Sequence, residues 1–210
     1  MFEYLGTVLV SFDPGFDVLR YLTVRTIGGT LTALLISILM GPLIIKFLKS
    51  IQFEQFVRED GPESHLKKSG TPTMGGLLIL FSLTISTLLW ADLGNRYIWV
   101  VLAVTIGFSI IGFLDDFLKI KKKSSDGLTS IQKIISQSII AFISMFYLYY
   151  SAEIIPEISF IVPFFKDFII PMSPFIFISF GMFVLIGSSN AVNLTDGLDG
   201  LAILPSVLIG

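Results

Sequence analysis

The chain has 210 residues, of which 53% are hydrophobic and only 14% are charged, and its mean hydropathy is +0.85. Because soluble domains carry about a quarter charged residues, this composition excludes an ordinary soluble domain and indicates a membrane protein. Lys and Arg number 14 against 16 Asp and Glu, a balance that excludes a nucleic-acid-binding footprint. The absence of cysteine excludes disulfides and thiolate metal sites.

Uncharged apolar runs recur along the chain, and each has about the 20 residues that a bilayer-crossing helix needs. The runs predict an all-α fold, a polytopic transmembrane helical bundle within a single domain of residues 1–210. The predicted spans are 22–46, 73–91, 97–118, 131–151 and 173–193, with the start of a sixth at 200–210.

Basic residues alternate sharply between the predicted spans. Segments 46–69 and 115–133 are each rich in Lys and Arg, whereas the segments 92–96 and 153–167 hold one each. Since cytoplasmic loops collect Lys and Arg, we expect the two basic segments to be cytoplasmic and the N-terminus to lie outside. Counting spans then places 190–200 in the cytoplasm as well, so the unusual polar sequence falls on one face of the membrane.

The outer loop 153–172 differs from the other connections. Its prolines and its β-favouring Ile, Val and Phe residues predict a short β-hairpin within 157–170. An irregular apolar loop in the headgroup region explains the same residues equally well.

The first polar motif is KSGTPTMGG at 68–76. Pro72 disfavours a helix before it, so Thr73 is expected near a helix N-terminus, where exposed N–H groups bind anions, with Lys68 nearby. A helix cap followed by small residues for helix packing explains the motif as well.

The second motif is FLDDFLK at 113–119. On a helix Lys119 lies four residues after Asp115 and three after Asp116, so it can contact both acids. A solvated helix end with an intrahelical ion pair is the simpler interpretation. However, acids directly after an apolar run are costly and usually line a polar cavity, and paired carboxylates favour Mg²⁺ over zinc.

The third motif is NAVNLTDGLDG at 190–200. Asn190, Asn193, Asp196 and Asp199 recur at every third position, which predicts a polar edge at the end of an uncharged run. A calcium-binding EF-hand is excluded because its final glutamate would fall on Leu204.

Together, GTPTMGG, FLDD with Lys119, and NAVNLTDGLDGLA resemble the motifs of the phospho-N-acetylmuramoyl-pentapeptide-transferase family, within the polyprenyl-phosphate N-acetylhexosamine-1-phosphate transferases. The resemblance implies an Mg²⁺-dependent enzyme of the bacterial inner membrane with a cytoplasmic active site. Its substrates would be UDP-N-acetylmuramoyl-pentapeptide and undecaprenyl phosphate, and its products UMP and lipid I. Family members are considerably longer, so we expect this chain to correspond to their N-terminal part and to be inactive alone.

The resemblance also implies roles for individual residues. Asp115, Asp116 and Lys119 would be catalytic, and Asp115, Asp116 and Asp196 would hold the metal. Either acid could act as a base, although a phosphate monoester is already anionic near pH 7. Substrate-binding residues would be Lys68, Thr73, Lys133, Asn190, Asn193, Asp196 and Asp199.

Two other classes of protein remain as alternatives. A secondary transporter also carries intramembrane acids, but near the middle of the bilayer and often in repeated halves, whereas these acids end spans on one side and no repeat is visible. A noncatalytic membrane fragment is the second alternative. The sequence is compatible with a homodimer and with a monomer.

Overall fold

The computed structural model describes residues 1–50, 74–122, 127–162, 164–165 and 167–195. Over these residues the fold is almost entirely helical, which confirms the predicted fold class. The elements are α1 (Phe2–Leu9), a 3₁₀ helix (Pro14–Arg20), α2 (Leu22–Ser50), α3 (Gly76–Trp90), α4 (Arg96–Lys122), α5 (Ser130–Tyr150), a 3₁₀ helix (Ile155–Ile158), β1 (Ser159–Ile161), β2 (Ile169–Pro171) and α6 (Pro174–Thr195).

Four of these helices, α2, α4, α5 and α6, are long and apolar enough to cross a membrane, as expected of a multi-pass membrane protein. Helix α3 is apolar but has only 15 residues, about 22 Å at 1.5 Å per residue. The apolar run that contains α3 begins earlier in the sequence, in residues outside the described part of the chain. The predicted sixth span, 200–210, also lies outside the described residues.

The chain divides into two compact units, the first of which is Met1–Thr129. In this unit α2 packs against α3 through small residues that let the two backbones approach. Ser86 donates a hydrogen bond to the Gly29 carbonyl oxygen at 2.5 Å, and the Trp90 indole N–H donates to Thr32 at 2.9 Å. A Cβ at Gly28 would lie 2.5 Å from the nearest atom of the Trp90 ring, so only glycine fits there. Close approach between small residues is typical of helix pairs in membranes.

The second unit, Ser130–Gly210, contains the helix pair α5 and α6. Three buried side chains, Gln137, Ala141 and Ser144, recur at helical spacing along α5, so one face of the helix is covered. On the facing helix, Gly181 lies directly against the Met145 side chain.

A two-stranded antiparallel sheet, β1 with β2, connects α5 to α6. Ser159 pairs with Pro171 and Ile161 with Ile169, which confirms the predicted hairpin, although its second strand ends one residue beyond the predicted range. Both strands are largely exposed, and the Phe160 ring packs edge-on against Phe180 of α6.

Candidate active site

The two acids of the second motif lie near the C-terminal end of α4, and the side-chain ammonium of Lys119 contacts both of them. The Lys119 ammonium is 2.8 Å from Asp115 Oδ2 and 3.2 Å from Asp116 Oδ1. These contacts are the ones that helical spacing predicts. The second motif is therefore a connected group of two carboxylates and one cation.

The two acids differ in their surroundings. The Asp115 side chain is 9% exposed, whereas the Asp116 side chain is 43% exposed. Besides its ion pair with Lys119, Asp115 accepts a hydrogen bond at Oδ1 from the Leu128 backbone N–H at 2.8 Å. Both oxygens of Asp115 thus have protein donors, while Asp116 is the more accessible carboxylate.

Asp116 lines a cavity of about 240 Å³ between the N-terminal end of α3 and the C-terminal half of α4. Most of the lining is apolar, and Asp116 is its charged member. The lining residues are Met74, Gly76, Leu77, Leu80, Ser109, Gly112, Phe113 and Asp116. Residues at the end of the first motif and one acid of the second motif therefore line the same cavity.

The backbone at the start of α3 has an uncommon conformation. Met74 has a φ of 71°, in the left-handed region that a methionine rarely adopts, and its side chain is buried. A Cβ at Gly75, Gly76 or Gly112 would meet no other atom within 4 Å. Packing within the described protein does not require these glycines, and the small size of Gly76 and Gly112 leaves the space beside Asp116 open.

The other predicted site residues are either outside the described part of the chain or in its second unit. Lys68 and Thr73 of the first motif, and Asp196 and Asp199 of the third, fall outside the described residues. In the second unit, Lys133 is half-buried in the first turn of α5, and Asn193 is exposed near the end of α6.

Asn190, in the same unit, is held by protein groups. Its side-chain amide donates hydrogen bonds at 2.8 Å to Gln137 Oε1 and at 2.8 Å to the Ile186 carbonyl oxygen. The Gln137 side chain is buried. Asn190 therefore links α6 to α5 and fixes the helix that carries Asn193.

Sequence reasoning missed two residues that hold predicted site residues in place. Gln137 binds Asn190, and Leu128 binds Asp115. Gln137 did leave a signal, because an amide within an apolar span usually bonds to a neighbouring helix. Leu128 left none, since its backbone N–H makes the contact with Asp115 whatever its side chain.

We expect the Gln137–Asn190 contact to stabilise the pair α5 and α6. In a double-mutant cycle with Gln137→Ala and Asn190→Ala, the coupling free energy should be about 0.6 kcal/mol and below about 1.7 kcal/mol, the range measured between membrane helices. Unfolding of the four proteins in mixed micelles measures it. Strictly additive losses in the cycle would contradict the contact.

The carboxylates fit a hard divalent cation by donor type. Mg²⁺ binds through one or two carboxylates together with substrate phosphates and keeps several waters. Asp116 suits this role better than Asp115, whose oxygens already have protein donors. Within the described ranges no group of three His, Cys, Asp or Glu side chains forms a protein-only metal cage.

Comparison with known families agrees with this geometry. Residues 98–210, more than half of the chain, match the family model "Glycosyl transferase family 4". Residues 68–80 match "Phospho-N-acetylmuramoyl-pentapeptide-transferase signature 1". The first match contains the acid pair and the second contains Met74, Gly76, Leu77 and Leu80 of the cavity lining. The chain therefore belongs to glycosyl transferase family 4 and, within it, to the phospho-N-acetylmuramoyl-pentapeptide-transferases, the phospho-sugar transferases of peptidoglycan synthesis.

Proposed function

We propose that this protein transfers phospho-N-acetylmuramoyl-pentapeptide from its UDP donor to undecaprenyl phosphate. An oxygen of the lipid phosphate attacks the β-phosphorus of the donor, and the bond from that phosphorus to the UMP oxygen breaks. UMP leaves with the bonding electrons. The product is lipid I, the first membrane-bound intermediate of peptidoglycan synthesis.

One observation carries the proposal: residues of the family signature and Asp116 of the acid pair line the same cavity. Met74 and Gly76 come from the signature segment 68–80, and Asp116 comes from the segment matched to the transferase family. A mostly apolar cavity with a carboxylate at a span end suits a reaction between a lipid phosphate and a soluble nucleotide. Phosphoryl transfer needs alignment and charge neutralisation more than covalent chemistry.

Asp116 is the carboxylate that we place at the reacting phosphates. Mg²⁺ held there, with Asp115 and Asp196 as the other predicted ligands, would neutralise phosphate charge. Lys119 contacts both acids, so it compensates their mutual repulsion and keeps Asp116 at the cavity. The main role of Asp115 is to hold Lys119 by an ion pair and the Leu128 backbone N–H by a hydrogen bond.

The remaining predicted residues would bind the substrates. We assign cationic contacts with phosphate to Lys68 and Lys133, and contacts with the nucleotide to Thr73, Asn193, Asp196 and Asp199. Asn190 would act through its hydrogen bond to Gln137, which holds α6 in place.

We place the reaction at the cytoplasmic face of the bacterial inner membrane, with the N-terminus outside. The distribution of basic residues supports this orientation, because α4 ends in Lys121 and Lys122 beside the acid pair. The nucleotide donor is then available from the cytoplasm and the lipid acceptor from the inner leaflet.

Release of UMP by the full-length protein in nanodiscs tests the proposal. UMP should appear only when both the UDP-linked sugar and undecaprenyl phosphate are present, and EDTA should stop its release until Mg²⁺ is restored. A transporter would bind or move one substrate without releasing UMP. Absence of UMP with both substrates and Mg²⁺ present would overturn the assignment.

A further inference from the structure

The backbone of residues 127–128 meets the buried acid of the pair from outside α4. The Leu128 N–H donates to Asp115 Oδ1 at 2.8 Å, and the Lys119 ammonium lies 2.8 Å from Oδ2. Each oxygen of this carboxylate is therefore bound by a different part of the chain. Because the carboxylate is almost fully buried, these two contacts restrict where Asp115 points.

Gly127 allows the backbone of residues 127–128 to approach Asp115 closely. A Cβ at this position would lie 2.7 Å from the Asp115 main-chain oxygen and would also overlap the Asp115 carboxylate. The main-chain oxygen belongs to α4, so it cannot yield as the end of a flexible side chain could. A residue without a side chain is thus needed where a backbone approaches another group this closely.

Lys119 connects Asp115 to Asp116. The Lys119 ammonium contacts Asp115 at 2.8 Å and Asp116 at 3.2 Å. Loss of the Leu128 contact would remove one of the contacts that orient Asp115, and a shift of Asp115 would displace the Lys119 ammonium. A displaced ammonium would in turn change the contact with Asp116, the carboxylate that lines the cavity.

Resting on the proposed function, we propose that Gly127 and the Leu128 N–H form a backbone clamp on Asp115 that positions Asp116 for phosphoryl transfer. Gly127 and Leu128 are positioning residues in this account, since they contact Asp115 and act on the substrates only through the acids and Lys119. Neither residue belongs to the three motifs in which the sequence pattern placed the chemistry.

The Gly127→Ala variant tests the clamp. We expect its kcat to fall about 10- to 100-fold, since displacement of a reacting group by about 1 Å can cost about 10²-fold in rate. The KM for the nucleotide donor should stay near the wild-type value, because the clamp acts on the acids and not on the nucleotide. Leu128→Pro, which removes the N–H donor, should lower kcat in the same way.

Gly187→Ala is the matched control. Gly187 lies in α6, and a Cβ there would meet no other atom within 4 Å, so this variant should retain the wild-type kcat. Wild-type kcat in both Gly127→Ala and Leu128→Pro would overturn the clamp while leaving the transferase function intact.

Hydrogen exchange of the Leu128 amide gives a readout that is independent of turnover. It tests the clamp even if Gly127→Ala or Leu128→Pro fails to fold. The amide should exchange slowly in the wild-type protein and in Asp116→Asn, and fast in Asp115→Ala. Fast exchange in the wild-type protein would overturn the clamp. Slow exchange in a wild-type protein that releases no UMP would overturn the proposed function and support the clamp geometry.

Discussion

Asp116→Asn should lower the kcat for UMP release by about 10²- to 10³-fold, the loss expected when a preorganised electrostatic contact to the reacting centre is removed. Asn keeps the shape of the side chain but removes the negative charge that lines the cavity. The melting temperature should change little, because the Asp116–Lys119 pair is well exposed to solvent and such pairs contribute only about 0–1 kcal/mol.

Asp92→Asn is the control for this substitution. Asp92 lies in the turn between α3 and α4, where its Oδ1 accepts a hydrogen bond from the Gly94 N–H at 2.9 Å, and asparagine can accept the same bond. This variant should release UMP at the wild-type rate. Equal, wild-type rates for Asp116→Asn and Asp92→Asn would remove Asp116 from the reaction.

Asp115→Ala should be the more destabilising of the two acid substitutions. It leaves the half-buried Leu128 N–H without its acceptor, at a cost of about 1 kcal/mol, the lower end of the range for an unsatisfied donor. The lost Lys119 contact adds less, because the lysine is 38% exposed and solvent screens the pair. The kcat should fall as well, since Lys119 loses the partner that fixes it.

Thermal unfolding in detergent, run in parallel with the UMP assay, measures this difference. We expect Asp115→Ala to lower both the melting temperature and kcat, whereas Asp116→Asn lowers kcat alone. An Asp115→Ala protein as stable as the wild type would contradict the structural role of Asp115. It would also mean that the two acids contribute equally little to stability.

Local spacing predicted much of this arrangement. The apolar runs predicted the helices because a bilayer forces every backbone group to pair within its own segment. The interval of three and four residues predicted that Lys119 contacts both acids, since helical geometry alone determines that contact. The hairpin between α5 and α6 was one of two interpretations of its β-favouring residues and prolines, and the structure shows the hairpin.

The difference between the two acids could not be predicted in the same way. Asp115 and Asp116 are adjacent and chemically identical, and among the described contacts one from outside α4 distinguishes them. That contact comes from the backbone of Leu128, 13 residues away along the chain, and no side-chain pattern encodes it. The cavity beside Asp116 could not be predicted from the sequence either, because it depends on how α3 packs against α4.

Following the two phosphorus atoms of the donor tests the central claim most directly. UDP-N-acetylmuramoyl-pentapeptide labelled separately at the α- and β-phosphorus would be incubated with undecaprenyl phosphate and the full-length protein in nanodiscs. Our account predicts that the β-label moves into the lipid extract, one equivalent for each UMP, while the α-label stays in the aqueous phase. Transfer of the α-label to lipid, or retention of both labels in water, would contradict it.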